Sequence, residues 1–101
     1  MSDKVFMFLG LARRANAVIL GEEAVKKAVQ NRKVSLVIVA KDASQNTKDG
    51  VIRKCEYHHV VYRSIGFKEI IGKHMGKNVV AVVGVKNKEF SKKLIEMIED
   101  I

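Results

Sequence analysis

The sequence predicts an α/β fold, a three-layer α/β/α sandwich in which a four-stranded sheet lies between helices. Three observations carry this expectation. Apolar residues at helical spacing alternate along the chain with short β-branched runs. Two of those runs, 34–40 and 79–85, are almost continuously apolar, as strands covered on both faces are. The chain has 101 residues, 48% of them apolar, with no proline and no linker or low-complexity tract, so one domain over 1–101 is expected.

Residues 4–15 place Val5, Phe6, Phe8, Leu9, Ala12 and Ala15 along one stripe, which predicts the first helix, with Asn16 at its end. Ala17 to Leu20 reads as a short strand. Residues 22–31 read as a second amphipathic helix. At about 100° per residue, Ala24, Val25, Ala28 and Val29 share one side and Glu23, Lys26, Lys27 and Gln30 the other. Strand 34–40 follows. Asp42, Ser44 or Asn46 is expected to cap a third helix running to about Tyr57, with Val51, Ile52 and Cys55 inward. Val60 to Tyr62 is a short strand. Ser64 is expected to cap a fourth helix with Phe67, Ile70 and Ile71 inward and Gly72 near its exit. After strand 79–85, a last helix from about Lys88 aligns Phe90, Leu94, Ile98 and Ile101. Strand order is not legible in the pattern.

The chain carries 19 basic and 11 acidic residues, a net charge of +8. From Lys86 onward four lysines balance four acids, so the excess lies wholly in residues 1–85. A polyanion is the partner this favours, while a merely solvated basic surface is the plain alternative. No apolar run approaches the roughly 20 residues that span a bilayer. The N-terminus lacks the pattern of a secretory signal, and a lone cysteine, Cys55, suits a reducing compartment. A cytoplasmic protein without membrane attachment is expected.

No motif points to catalysis. Gly66 to Lys73 resembles a phosphate-binding loop, but five residues separate its glycines instead of four, and His74 stands where Ser or Thr would hold magnesium. Cys55, His58 and His59 cluster, yet a structural zinc site takes four ligands, and only His74 remains. Neither catalytic residues, a metal nor a cofactor is expected.

The stretch Leu-Gly-Glu-Glu-Ala-Val-Lys-Lys from Leu20 to Lys27 stands out. Its structural reading is complete. Gly21 opens a helix, acids favour the positive end of the helix dipole, and Glu22–Lys26 and Glu23–Lys27 are i,i+4 pairs. A functional reading is equally coherent. Carboxylates repel phosphates but accept hydrogen bonds from a guanine edge, while Lys26 and Lys27 neutralise nearby phosphates.

This stretch also belongs to an ordered set: Leu-Gly-Leu-Ala-Arg-Arg-Ala-Asn, Leu-Gly-Glu-Glu-Ala-Val-Lys-Lys-Ala-Val, Leu-Val-Ile-Val-Ala-Lys-Asp-Ala-Ser and Lys-Cys-Glu-Tyr. Over about residues 5–98 that order resembles the kink-turn-binding ribosomal-protein family of archaeal L-seven-Ae type, and most closely its small bacterial YlxQ-type branch. The resemblance implies a four-stranded mixed sheet in an α/β/α sandwich. It also implies binding to kink-turn RNA, a sharply bent helix–loop–helix with tandem sheared G·A pairs. In that family the second helix enters the groove at those pairs, and a loop after the fourth helix covers a splayed-out base.

Carried over by position, Gly21 matches the glycine that opens the binding helix and Lys27 its basic residue, while Gly76 and Val79 match the second loop. The chain departs from the family at four places. Glu23 and Ala24 stand where Asn and Glu are usual, Lys77 replaces an apolar residue, and Asn78 an acid.

The expected function is therefore non-enzymatic recognition of a kink-turn or related bent internal loop, in ribosomal RNA or an mRNA leader, with ribosome association. The expected RNA contacts are Gly21, Glu22, Glu23, Lys26, Lys27, Gly76, Lys77, Asn78 and Val79. A monomer is expected. The alternative is a protein-interaction module on the same scaffold without specific RNA recognition; a more remote one is an enzyme using Cys55 with His58 or His59.

Overall fold

The computed structural model describes residues 3–100, so the expectation for Ile101 lies outside the described residues. In chain order these residues form α1 (Asp3–Arg14), β1 (Val18–Leu20), α2 (Glu22–Gln30), β2 (Leu36–Val39), α3 (Gln45–His58), β3 (Val61–Ser64), α4 (Lys68–Met75), β4 (Val82–Val85) and α5 (Lys88–Glu99). The sheet order is β1-β4-β2-β3. β4 runs antiparallel to both β1 and β2, and β2 runs parallel to β3. The sheet is thus mixed. Helices α2 and α3 pair on one side of it, while α1 packs with α4 and α5 on the other, which gives the expected sandwich. No helix among the described residues is long and apolar enough to cross a membrane.

The two continuously apolar runs are the two central strands. Every residue of β2 and β4 is buried, whereas edge strands β1 and β3 are partly open. β-Branched side chains suit both faces of such a strand because each packs under a helix layer. Around them Val5, Phe6, Leu9 and Ala12 of α1, Val25, Ala28 and Val29 of α2, and Val51 and Cys55 of α3 complete the core. Asn16 does end α1. It takes a left-handed conformation (φ 56°), and the Ala17 N–H donates to the Ala12 carbonyl at 2.8 Å, closing the last turn.

Several expectations are corrected. Ser64 ends β3 and does not cap α4. That helix begins at Lys68 after Phe67, whose side chain makes no cap; instead the Asp42 carboxylate, from the loop before α3, accepts from the Lys68 N–H at 2.8 Å. Ser44 alone caps α3, accepting from the Thr47 N–H. Phe67 and Ile70 are exposed, and Ile71, Gly72 and Met75 form the inner face of α4. Ala15 and Ala24 are also exposed, and Ile52 is only half-buried. Small or flanking apolar residues satisfy a periodicity whether or not the helix turns them inward.

Candidate nucleic-acid interface

The start of α2 is set by Gly21. Its backbone (φ 101°, ψ 149°) lies in a region that only glycine occupies without strain. A Cβ there would meet nothing within 4 Å, so conformation, not crowding, demands glycine. The Gly21 N–H donates to the Val82 carbonyl at 3.0 Å and ties this turn to the central strand β4. Among the described residues no side chain caps α2. The first-turn N–H groups therefore face outward with the positive end of the helix dipole.

The two acids beside Gly21 differ. Glu22 is half-buried. The Thr47 hydroxyl of α3 donates to one of its oxygens at 2.8 Å, and the Lys26 ammonium donates to the other at 3.3 Å. The Thr47 hydrogen bond, and after it Lys26, hold the Glu22 carboxyl below its ordinary range against the opposing effect of desolvation. Glu23 is exposed and also receives Lys26 at 3.3 Å. Lys26 is thus shared by two carboxylates, Glu23 first and Glu22 second, which push its pKa up. The expected Glu23–Lys27 pair is replaced by Glu23–Lys26, and Lys27 stays exposed.

The second segment follows α4. Gly76 ends that helix in a left-handed conformation (φ 74°), and the Lys77 N–H donates to the Gly72 carbonyl at 2.8 Å. Gly72 is therefore not the exit. It lies inside α4, and a Cβ there would stand 2.7 Å from the Asn78 carbonyl oxygen and 2.8 Å from Val79 Cα. The missing side chain is a notch across which the loop lies. Gly76, Lys77, Asn78 and Val79 are all exposed, so strand β4 begins at Val82 and not at Val79.

The two segments meet. A cleft of about 270 Å³ has Leu20, Gly21 and Glu22 on one side and Lys77, Val79 and Val82 among the residues on the other. Its lining thus combines an acid and a cation with apolar residues. Glu23, Lys26, Lys27, Gly76 and Asn78 lie outside this lining. Sequence reasoning missed Thr47, which orders Glu22, and Gly72, which seats the loop. Thr47 gave no local signal, because its partner is 25 residues away. Cys55 is fully buried on α3, and burial pushes its thiol up to about 11, which is the state of a packing residue and not of a nucleophile.

The model of the family described as "Ribosomal protein L7Ae/L30e/S12e/Gadd45 family" matches residues 3–95. The chain is 38% identical over 94 residues to a Bacillus subtilis (strain 168) protein called RNA-binding protein YlxQ, covering 93% of this chain and 94% of that one. A protein of the same name from Enterococcus faecium is also 38% identical, with 96% of this chain and 93% of that one covered. Among solved structures, a protein of unknown function from Bacillus halodurans superposes with a TM-score of 0.94 at 40% identity, over 97% of this chain and 99% of its own. A 15.5 kD RNA binding protein of Giardia lamblia superposes at 0.78 with 20% identity, over 99% and 92%, and shares the fold.

Proposed function

This chain belongs to the ribosomal protein L7Ae/L30e/S12e/Gadd45 family, and on that premise we propose that it is a non-enzymatic, single-domain RNA-binding protein that recognises a kink-turn or related bent internal loop. The observation that carries this reading is the cleft joining the uncapped start of α2 to the loop 76–79. At about 270 Å³ it is of a size that suits one splayed-out base. Val79 offers that base an apolar contact, and Lys77 reaches its phosphate. Sheared guanines present N–H donors on a free edge, and Glu23, the more exposed acid, accepts from them. Glu22 is held by Thr47 and Lys26 and acts as the support beneath. Lys27, exposed beside the tip, meets the backbone; phosphate contacts of this kind position an RNA while base contacts select it. The +8 net charge steers the encounter. Names of the relatives that state RNA binding support the same reading.

The test is titration of a kink-turn RNA against the same RNA with its G·A pairs converted to Watson–Crick pairs. A clear preference for the kink-turn is expected, and equal affinities would end the proposal. Association with ribosomes in the cytoplasm is part of the same reading, checked by co-sedimentation with ribosomal particles from cell extract.

A second reading, a protein-interaction module, is favoured by one observation. Met7 and Leu11 are exposed one turn apart on α1, beside Lys73 and His74 of α4. Loss of a protein partner on changing Met7 and Leu11, together with no kink-turn preference, would establish it instead.

A further inference from the structure

Beyond the cleft, the outer faces of α2 and α3 leave a larger groove of about 550 Å³. Lys26 and Gln30 line it from α2, and Arg53, Lys54, Tyr57 and His58 from α3. No carboxylate is among its lining residues. Lys26 is already balanced by Glu22 and Glu23, but neither Arg53 nor Lys54 is in an ion pair among the described residues. The same groove is lined by Tyr57, an aromatic residue 78% exposed, whose ring meets that of His58 edge to face with centroids 4.9 Å apart.

A solvated helix face accounts for the cations but leaves a large bare aromatic unexplained. A duplex would engage the charges alone, since its bases are stacked inside. An aromatic platform flanked by cations is the arrangement that takes unpaired bases. We propose that this groove holds a single-stranded RNA segment, with one base stacked on Tyr57 and the adjoining phosphates at Arg53 and Lys54. The choice of RNA rests on the reading of the preceding subsection. Continuity supports it too: Lys26 lies about 7.5 Å along the helix from Gly21 at 1.5 Å per residue, so a strand leaving the tip enters the groove directly.

The experiment uses three probes: a six-residue oligouridine, a blunt kink-turn RNA, and that RNA with a six-uridine single-stranded extension. Oligouridine is expected to quench the tyrosine fluorescence, and the extension to raise kink-turn affinity. Tyr57→Ala and the double variant Arg53→Ala/Lys54→Ala should each weaken oligouridine binding about tenfold and abolish the gain from the extension, with blunt RNA bound within about twofold of the parent. Arg53 and Tyr57 are exposed and Lys54 is half-buried, and unchanged melting curves will verify folding. Oligouridine binding that survives in both variants, or quenching that persists in Tyr57→Ala and so comes from Tyr62, overturns the proposal. Tyr57-dependent oligouridine binding without preference for the kink-turn would sustain the groove while sinking the recognition at the tip; the converse result would do the opposite.

Discussion

Helices α2 and α3 lie side by side and begin in opposite ways. α3 opens with Ser44, whose hydroxyl accepts from the Thr47 N–H at 3.2 Å, and α5 likewise opens with Asn87, which accepts from the Phe90 N–H at 3.0 Å. These starts satisfy their own backbone donors. α2 opens with Gly21, which has no side chain to turn inward. Thr47, whose N–H the Ser44 cap receives, sends its hydroxyl across to Glu22. The closed start of α3 thus braces the open start of α2. The difference teaches that the basic excess of the chain is not what distinguishes the proposed site. An unfilled helix start, held rigid by a filled one, does.

The largest effect expected from breaking this arrangement is at Gly72. Its Cβ would press on the backbone of Asn78 and Val79, which cannot move without lifting the loop. Gly72→Ala gains about 1 kcal/mol of helix propensity but overpacks a buried contact that typically costs about 1–3 kcal/mol. A net loss of stability by chemical denaturation is expected, with kink-turn affinity falling about tenfold; a variant more stable than the parent would show that the notch is not needed. Next come the two helix starts compared directly. Gly21→Ala forces alanine into a glycine-only region at about 1–3 kcal/mol and is expected to lower RNA affinity. Ser44→Ala should cost a similar 0.5–2 kcal/mol or so through the lost cap and, because the Ser44 hydroxyl touches the tip only through its 3.0 Å hydrogen bond to the Thr47 hydroxyl, lower RNA affinity less than Gly21→Ala does. Equal losses of affinity in both would dissolve the contrast.

The sequence carried much of this. The continuous apolar runs marked β2 and β4 as central because a strand covered on both faces has no polar side to show. Ser44 and Asn16 were legible because capping is local chemistry. What escaped depends on contacts between distant segments. Asp42 looked like a cap for α3 and serves α4. Gly72 looked like a helix exit and is a packing notch. Ala24 has the right phase for the core and is exposed. The two segments of the proposed site were legible through the resemblance, while their meeting in one cleft is a product of topology: Gly21 leans on β4 through Val82, and the loop 76–79 leads into the same strand.

Lys26 and Lys27 sharpen the contrast at smaller scale. Lys27 is exposed and its charge is free to meet phosphate, so Lys27→Ala should weaken binding across RNA sequences and reduce the salt slope by about one contact. Lys26 is shared between Glu22 and Glu23, so Lys26→Ala should leave the slope near that of the parent while altering the preference for G·A pairs. Affinity measured over a salt series distinguishes them, and identical slope changes would mean that the ion pairs open when RNA binds.

The smallest expected effect bears most directly on the brace. The Thr47 hydroxyl, followed by Lys26, lowers the Glu22 carboxyl from the ordinary 4.5. A carboxyl whose pKa falls on folding stabilises the fold fully above the unfolded value, and the contribution fades as pH drops below 4.5 and through the folded value. Thr47→Val keeps the shape and removes the donor. The Glu22 side chain is 34% exposed, so solvent screening holds the cost to roughly 0.5 kcal/mol or less. The variant should therefore melt slightly below the parent at pH 7, with the gap closing as pH falls below 4.5 and through the folded value, beneath which Glu22 is protonated in both. A gap that persists in acid would trace to packing and not to the carboxylate. If the gap closes but RNA preference is untouched, Glu22 stabilises the turn without helping to aim Glu23, and the brace between the two helix starts is architecture alone.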